Sequence, residues 1–114
     1  MLFRSLDFSF IGPDDRVKFY SDPPHRIFPR APAVIGRKVQ NCHPPKSVAL
    51  VEEILRSFRE GTRDKAEFWL DAKGSFVHIE YFALRDSAGT YRGTLEVSQD
   101  ATRLRSLEGE KRLL

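Results

Sequence analysis

All seven prolines of the 114-residue chain lie between Pro13 and Pro45, and this clustering limits the fold more than any other feature. Proline fixes φ and has no N–H to donate, so the window can hold neither a long helix nor a central strand. The stretch from Arg16 to Lys46 is also basic, with seven Lys and Arg residues against one Asp. We therefore predict loops and short helical turns here, with regular elements on either side.

Hydrophobic residues make up 40% of the chain and include nine Phe, which is enough apolar bulk for one core but not for two. A single cysteine excludes an internal disulfide. The chain contains neither a run of 18 apolar residues nor a signal-like N-terminus, so we expect no membrane association. These features predict one folded domain in the cytoplasm.

Two different periodicities flank the proline-rich window. Before the window, Leu6, Phe8 and Phe10 alternate with polar residues. At the start of the window, a Gly-Pro-Asp-Asp turn leads into a second alternating run. After it, apolar residues recur at helical spacing and a glycine follows at position 61, where a helix could end. The sequence thus predicts a hairpin, followed by a helix over about 45–60.

Short glycine-containing turns divide the region after the helix into three strand-like runs, which predicts an antiparallel meander. Strict alternation assigns two sets of side chains to the core face. These are Val77, Ile79, Tyr81 and Ala83 in the middle strand and Tyr91, Leu95, Val97 and Gln99 in the last strand. The opposite face would then hold His78 together with Thr94, Glu96 and Ser98.

Together these elements predict an α+β domain in which helices cover one face of the sheet. Four leucines, at positions 104, 107, 113 and 114, stand among charged residues near the C-terminus and predict a weakly amphipathic helix over about 103–114. Such a helix has too little apolar surface to be stable alone, so we expect it to dock on a partner surface.

Several stretches in this order of elements resemble the PAS domain family. The general motifs are Asp14–Ser21, similar to the first hairpin, Val34–Arg37, similar to the (V/I)-(I/L)-G-(R/K) turn, and Gly93–Thr102, similar to the closing strand with its Asp-x-Thr exit. A narrower resemblance is to the PAS domain at the C-terminal end of prokaryotic proteins that also carry a hemerythrin-like domain. It rests on Arg26–Arg30, Ile35–Ser47 and Leu107–Leu114.

The resemblance implies a PAS fold with a five-stranded antiparallel sheet, a hydrophobic cavity between sheet and helices, and frequent dimerisation. It also implies sensing through a bound ligand or partner, with neighbouring domains in the full-length protein. We expect a single domain over 1–114, with its core over about 5–102 and a helical extension over about 103–114. Relatives often carry His at the position of Ala49 and Tyr at that of His78, so any ligand chemistry that needs the former histidine would be absent.

We expect the ligand to be a small, largely apolar molecule held between the long helix and the sheet. The predicted ligand-binding residues are His43, Leu50, Val51, Ile54, Leu55, Val77, Ile79, Tyr81, Leu95 and Gln99. Tyr81 and Gln99 could orient the ligand by hydrogen bonds, or could instead bond to each other or to backbone groups of the helices. The sequence leaves both readings open.

His43 and Cys42 are the residues with cofactor chemistry. His43 precedes the long helix and could ligate a haem iron, with basic side chains nearby for the propionates. We favour the alternative that it satisfies free N–H groups at the helix start, because no second ligand is evident. The Asn41-Cys42 pair is similar to the photoadduct site of flavin-binding light sensors, but the residues after it differ, so we favour a buried thiol and expect no flavin.

The outer sheet face and the tail are predicted to form an interface, with a homodimer as the expected partner. The predicted interface residues are Trp69, Phe76, Phe82, Leu84, Leu104 and Leu107. An interaction module with a filled core is accordingly the rival to ligand sensing. The basic window lacks interleaved aromatic residues and a recognition helix, so we expect no nucleic-acid partner. No catalytic motif is evident, so we expect no enzymatic activity.

Overall fold

The computed structural model describes residues 6–21 and 32–114. In chain order the elements are β1 (Leu6–Ile11), β2 (Val17–Tyr20), 3-10 turns at Pro32–Val34 and Val39–Cys42, α1 (Pro45–Glu60), β3 (Lys65–Ala72), β4 (Ser75–Arg85), β5 (Tyr91–Asp100) and α2 (Thr102–Ser106). The predicted hairpin, long helix and meander are confirmed. Neither α-helix of the described residues combines the length and hydropathy needed to cross a membrane.

The strands form one five-stranded sheet in the order β2-β1-β5-β4-β3, and every neighbouring pair is antiparallel. The first and last strands of the chain therefore meet at the centre, while β2 and β3 form the edges. One core cluster joins α1 and the second 3-10 turn to the sheet through Ile11, Val17, Val39, Val51 and Leu55. The predicted α+β class, with helical elements on one sheet face, is confirmed.

Helix α1 begins and ends where its local chemistry requires. Pro45 occupies the first turn, where its missing N–H has no partner to lose. Gly61 adopts a left-handed conformation, with φ of 77°, and donates its N–H to the carbonyl of Phe58 at 3.2 Å. Arg85 of β4 donates to the same carbonyl at 2.8 Å. These contacts fix the end of α1 against the sheet.

The prediction of which β5 side chains face the core is wrong, because the alternation is shifted by one residue over most of the strand. Tyr81 pairs with Glu96 and Ile79 with Ser98, so Thr94, Glu96 and Ser98 are the side chains that face the helices and are buried. The remaining members of the predicted set, Leu95, Val97 and Gln99, pair with Phe82, Glu80 and His78 on the outer face.

A bulge causes this error. The pairing of β4 with β5 shifts between Leu84 and Arg85, which lie opposite Gly93 and Tyr91. The bulge inserts one extra residue into β5 after Tyr91, so the residues beyond it face the opposite side from the one that strict alternation predicts. Tyr91 itself faces inward as predicted, and its hydroxyl lies 2.7 Å from the Thr94 hydroxyl.

The predicted C-terminal helix over 103–114 is also wrong in its extent. Helix α2 ends at Ser106, and residues 107–114 are exposed and non-helical, with Gly109 in a left-handed conformation. The short helix is held by the β3–β4 hairpin, because Thr102 Oγ1 accepts from the Phe76 N–H at 2.9 Å and the Arg105 guanidinium lies 4.2 Å from the centroid of the Phe76 ring.

Candidate functional site

A cavity of about 830 Å³ lies between α1, the two 3-10 turns and the inner face of the sheet. Its helical wall includes Leu50, Val51 and Ile54 of α1, and its sheet wall includes Ile79 and Tyr81 of β4. Cavities of 300–1,000 Å³ with mostly apolar walls are typical of small-molecule sites. The cavity is therefore the candidate functional site.

Six of the ten predicted ligand-binding residues line this cavity. They are His43, Leu50, Val51, Ile54, Ile79 and Tyr81. Leu55 and Val77 are instead buried in the packed core beside it. Leu95 and Gln99 lie on the outer sheet face because of the bulge in β5, so their predicted place in the cavity is wrong.

The structure adds residues that the sequence interpretation missed. Phe68, Trp69 and Leu70 of the edge strand β3 line the cavity, and the alternation of Phe68 and Leu70 with Glu67 and Asp71 was a signal that could have identified those two. Ser9 and Glu96 also line it, but as polar residues they carry no such signal. Their place follows only from the pairing of the two central strands.

The sheet side of the cavity has a polar floor. Ser9 of β1 lies opposite Glu96 of β5, which in turn lies opposite Tyr81 of β4. The Ser9 and Glu96 residues are only 4% and 8% exposed, so they meet the cavity rather than bulk water. Polar groups at one side of an otherwise apolar cavity can orient a ligand through hydrogen bonds.

The helix-side mouth of the cavity carries His43 and Cys42. The His43 Nδ1 lies 3.0 Å from the Val39 carbonyl oxygen, which can only accept, so Nδ1 donates this hydrogen bond. Cys42 is exposed, so the predicted burial of its thiol is wrong. Among the described residues that line the cavity, His43 is the one imidazole, and haem ligation through it stays a prediction.

Five of the six predicted interface residues lie away from the cavity, on the outer sheet face and the tail, whereas Trp69 of the edge strand β3 also lines it. Trp69, Leu104 and Leu107 are more than half exposed, whereas Phe76, Phe82 and Leu84 are half-buried. Phe19 of the edge strand β2 is also exposed. The outer face thus carries apolar side chains at both edges of the sheet.

Comparison with known proteins agrees with this architecture. A family profile described as "PAS domain" matches residues 1–102. No curated protein shows a significant sequence match. The crystal structure of a C-terminal domain from Streptococcus mutans is 35% identical, with a TM-score of 0.84 over 93% of this chain and 83% of that one.

More distant solved structures share the fold alone. The sensory box sensor histidine kinase from Vibrio cholerae has a TM-score of 0.64 at 12% identity, over 86% of this chain and 82% of that one. The PAS domain of histidine kinase ThkA has a TM-score of 0.63 at 12% identity, over 84% and 99% of the two chains. The five-stranded antiparallel sheet and the helices of this chain match the PAS fold.

Proposed function

This chain belongs to the PAS domain family, and we propose that it is a sensory module that binds a small, largely apolar molecule in its cavity. The cavity of about 830 Å³ is the observation that supports this proposal most directly. The similarity in fold to domains of sensor histidine kinases supports a sensory role. In this proposal the chain has no catalytic activity of its own and passes its bound state to a neighbouring domain or a partner copy.

The composition of the cavity walls supports a ligand with an apolar body and one polar edge. Ile54, Phe68 and Ile79 offer aliphatic and aromatic surface to the body. Ser9 and Glu96 on the floor would meet the polar edge. A ligand with a polar edge could form additional hydrogen bonds with these groups, which a purely aliphatic ligand could not.

A conformational change on ligand binding could be transmitted through β5, because this strand contributes to the cavity floor and leads directly into α2. Glu96 faces the cavity, and four residues later Asp100 holds the start of α2 by accepting from the Thr102 N–H at 3.0 Å. A ligand that shifts Glu96 would move the strand on which α2 is mounted. The signal would then leave through the C-terminal end.

A cavity-blocking variant with a matched control tests the proposal. Leu50 lines the cavity and is half exposed, so Leu50→Trp would fill the mouth without overpacking the core. Glu52 is exposed and points away from Leu50 on the same helix, so Glu52→Trp is the control.

The measurement is a thermal-shift screen of small apolar compounds, each with one polar group, against the three proteins. We expect compounds that raise the melting temperature of the wild type and of Glu52→Trp but not of Leu50→Trp. Compounds that stabilise all three proteins equally, or a screen without any stabilising compound, would contradict ligand binding in the cavity.

The exposed side chains of the outer face favour a second candidate function, homodimerisation. Trp69 is 62% exposed and Phe19 58%, and such aromatic residues are enriched at protein interfaces. In this case Trp69→Ala would shift a dimer toward monomer, while Leu50→Trp would not. Light scattering at high micromolar concentration decides, since a wild type that is monomeric there would exclude this role.

A further inference from the structure

A cluster of three potential metal ligands lies on the outer sheet face, on the side opposite the cavity. Glu67 of β3 and His78 and Glu80 of β4 each offer one ligand atom, and these atoms all lie within 4.8 Å of one another. The His78 Nε2 is 2.5 Å from a Glu67 carboxylate oxygen, and its Nδ1 is 3.8 Å from a Glu80 oxygen. The imidazole therefore stands between two carboxylates.

The register of the sheet produces this arrangement. Glu67 and Glu80 lie directly opposite each other on neighbouring antiparallel strands, and His78 is two residues before Glu80 on the same face. Like charges in this cross-strand position destabilise a sheet unless a positive charge lies between them. A cation bound between the Glu67 and Glu80 carboxylates would therefore reduce their repulsion.

We propose that Glu67, His78 and Glu80 bind a divalent ion of the Zn²⁺ class, a late first-row transition metal. One imidazole and two carboxylates form a donor set that suits such ions, whereas Mg²⁺ and Ca²⁺ take oxygen ligands. Zinc–ligand bonds of about 2.0–2.2 Å place two ligands of one ion at most about 4.4 Å apart. Small side-chain rotations close the remaining gap, and solvent at this open face completes the coordination.

The described surroundings contain one competitor for the ion. Lys65, on the same face of β3, has its Nζ 2.6 Å from a Glu80 oxygen, and this hydrogen bond raises the pKa of Lys65. The hydrogen bond from His78 lowers the pKa of Glu67. A bound ion would take the place of the Lys65 ammonium at Glu80, which is possible because the lysine side chain is half exposed. Lys65 therefore weakens the site without being part of it.

Isothermal titration of the full, tag-free chain with Zn²⁺ alone in a weakly coordinating buffer tests this inference. We expect one equivalent to bind, and His78→Gln and Glu67→Gln each to weaken binding by more than about 10-fold, since even the loss of a supporting contact costs this much. Lys65→Gln should tighten binding. This last variant keeps all three ligands, so it tests the site even where a ligand substitution alters folding.

His43→Gln is the matched control, because His43 lies at the cavity mouth on the other side of the sheet and should have no effect. The proposal is wrong if the wild type binds no Zn²⁺ at millimolar concentration, if His78→Gln binds as tightly as the wild type, or if binding is lost in His43→Gln instead. Because the site shares no residue with the cavity, these results are independent of ligand binding there.

Discussion

Gly93 determines which side chains of β5 reach the cavity. Its φ is +143°, and a Cβ built on it would lie 2.5 Å from the Ile11 carbonyl oxygen and 2.8 Å from the Phe10 ring. Only glycine therefore allows β1 to approach β5 at this point. The adjacent bulge directs Thr94 and Glu96 toward the helices, so the polar floor of the cavity depends on a residue that has no side chain.

Gly93→Ala should lower the free energy of unfolding by about 1–3 kcal/mol, because the methyl group collides with backbone as well as with the Phe10 ring. Urea denaturation followed by circular dichroism measures the loss. Gly89→Ala is the matched control, since Gly89 also has positive φ, at +83°, but its Cβ would meet nothing within 4 Å. An equal loss in both variants would show that the backbone conformation, and not the close approach of β1, is what matters.

Asp100 is a second residue with a local task, which is to hold the start of α2. Its Oδ1 accepts from the Thr102 hydroxyl at 2.6 Å and from the Thr102 N–H at 3.0 Å. These two hydrogen bonds lower the pKa of the Asp100 carboxyl below its ordinary value. A carboxyl whose pKa is lower in the folded state stabilises the fold above the pKa of the unfolded state, and this contribution is lost as the pH falls through the folded pKa.

We therefore expect the wild type to be more stable than Asp100→Asn at pH 7, with the difference shrinking as the pH falls below about 3.9, the ordinary pKa of an aspartate. Urea unfolding at neutral and acidic pH gives this difference. Glu108→Gln, in the exposed tail, is the control and should leave the pH dependence unchanged. A difference between wild type and Asp100→Asn that does not vary with pH would contradict the account.

At the scale of elements, α2 and the residues after it should contribute very differently to stability. Thr102 and Arg105 contact Phe76, whereas Leu113 and Leu114 are fully exposed. Truncation after Ser106 should thus leave the melting temperature unchanged, while truncation after Ala101 should lower it. If both truncations lower the melting temperature equally, residues 107–114 dock on the domain, which would contradict their exposure in this structure.

The elements that could be predicted from the sequence are those with local signals. Pro45 and Gly61 mark the ends of α1, and short glycine-containing turns separate the strands, so these bounds needed no tertiary information. The inner face of β5 could not be predicted, because alternation fails at a bulge that depends on β4 and β1. Likewise, apolar residues on both sheet faces gave no reason to place Glu96 on the cavity side.

At the scale of the whole molecule, one sheet separates two surfaces with different chemistry. Successive residues of β4 serve opposite sides, with Ile79 and Tyr81 on the cavity and His78 and Glu80 on the outer face. A change in the twist of β4 on ligand binding would therefore also change the outer face. Under the proposed function, this arrangement would let a domain of little more than one hundred residues connect the cavity to an exposed surface.

Ligand binding in the cavity is tested most directly by a crystal structure of the chain purified without refolding, before and after soaking with a stabilising compound from the thermal-shift screen. We predict electron density for a small molecule in the cavity, in contact with Ile54, Ile79 and Tyr81, with its polar edge toward Ser9 and Glu96. An interior filled by the chain's own side chains, with no change after soaking, would contradict the claim and leave interaction through the outer face as the function.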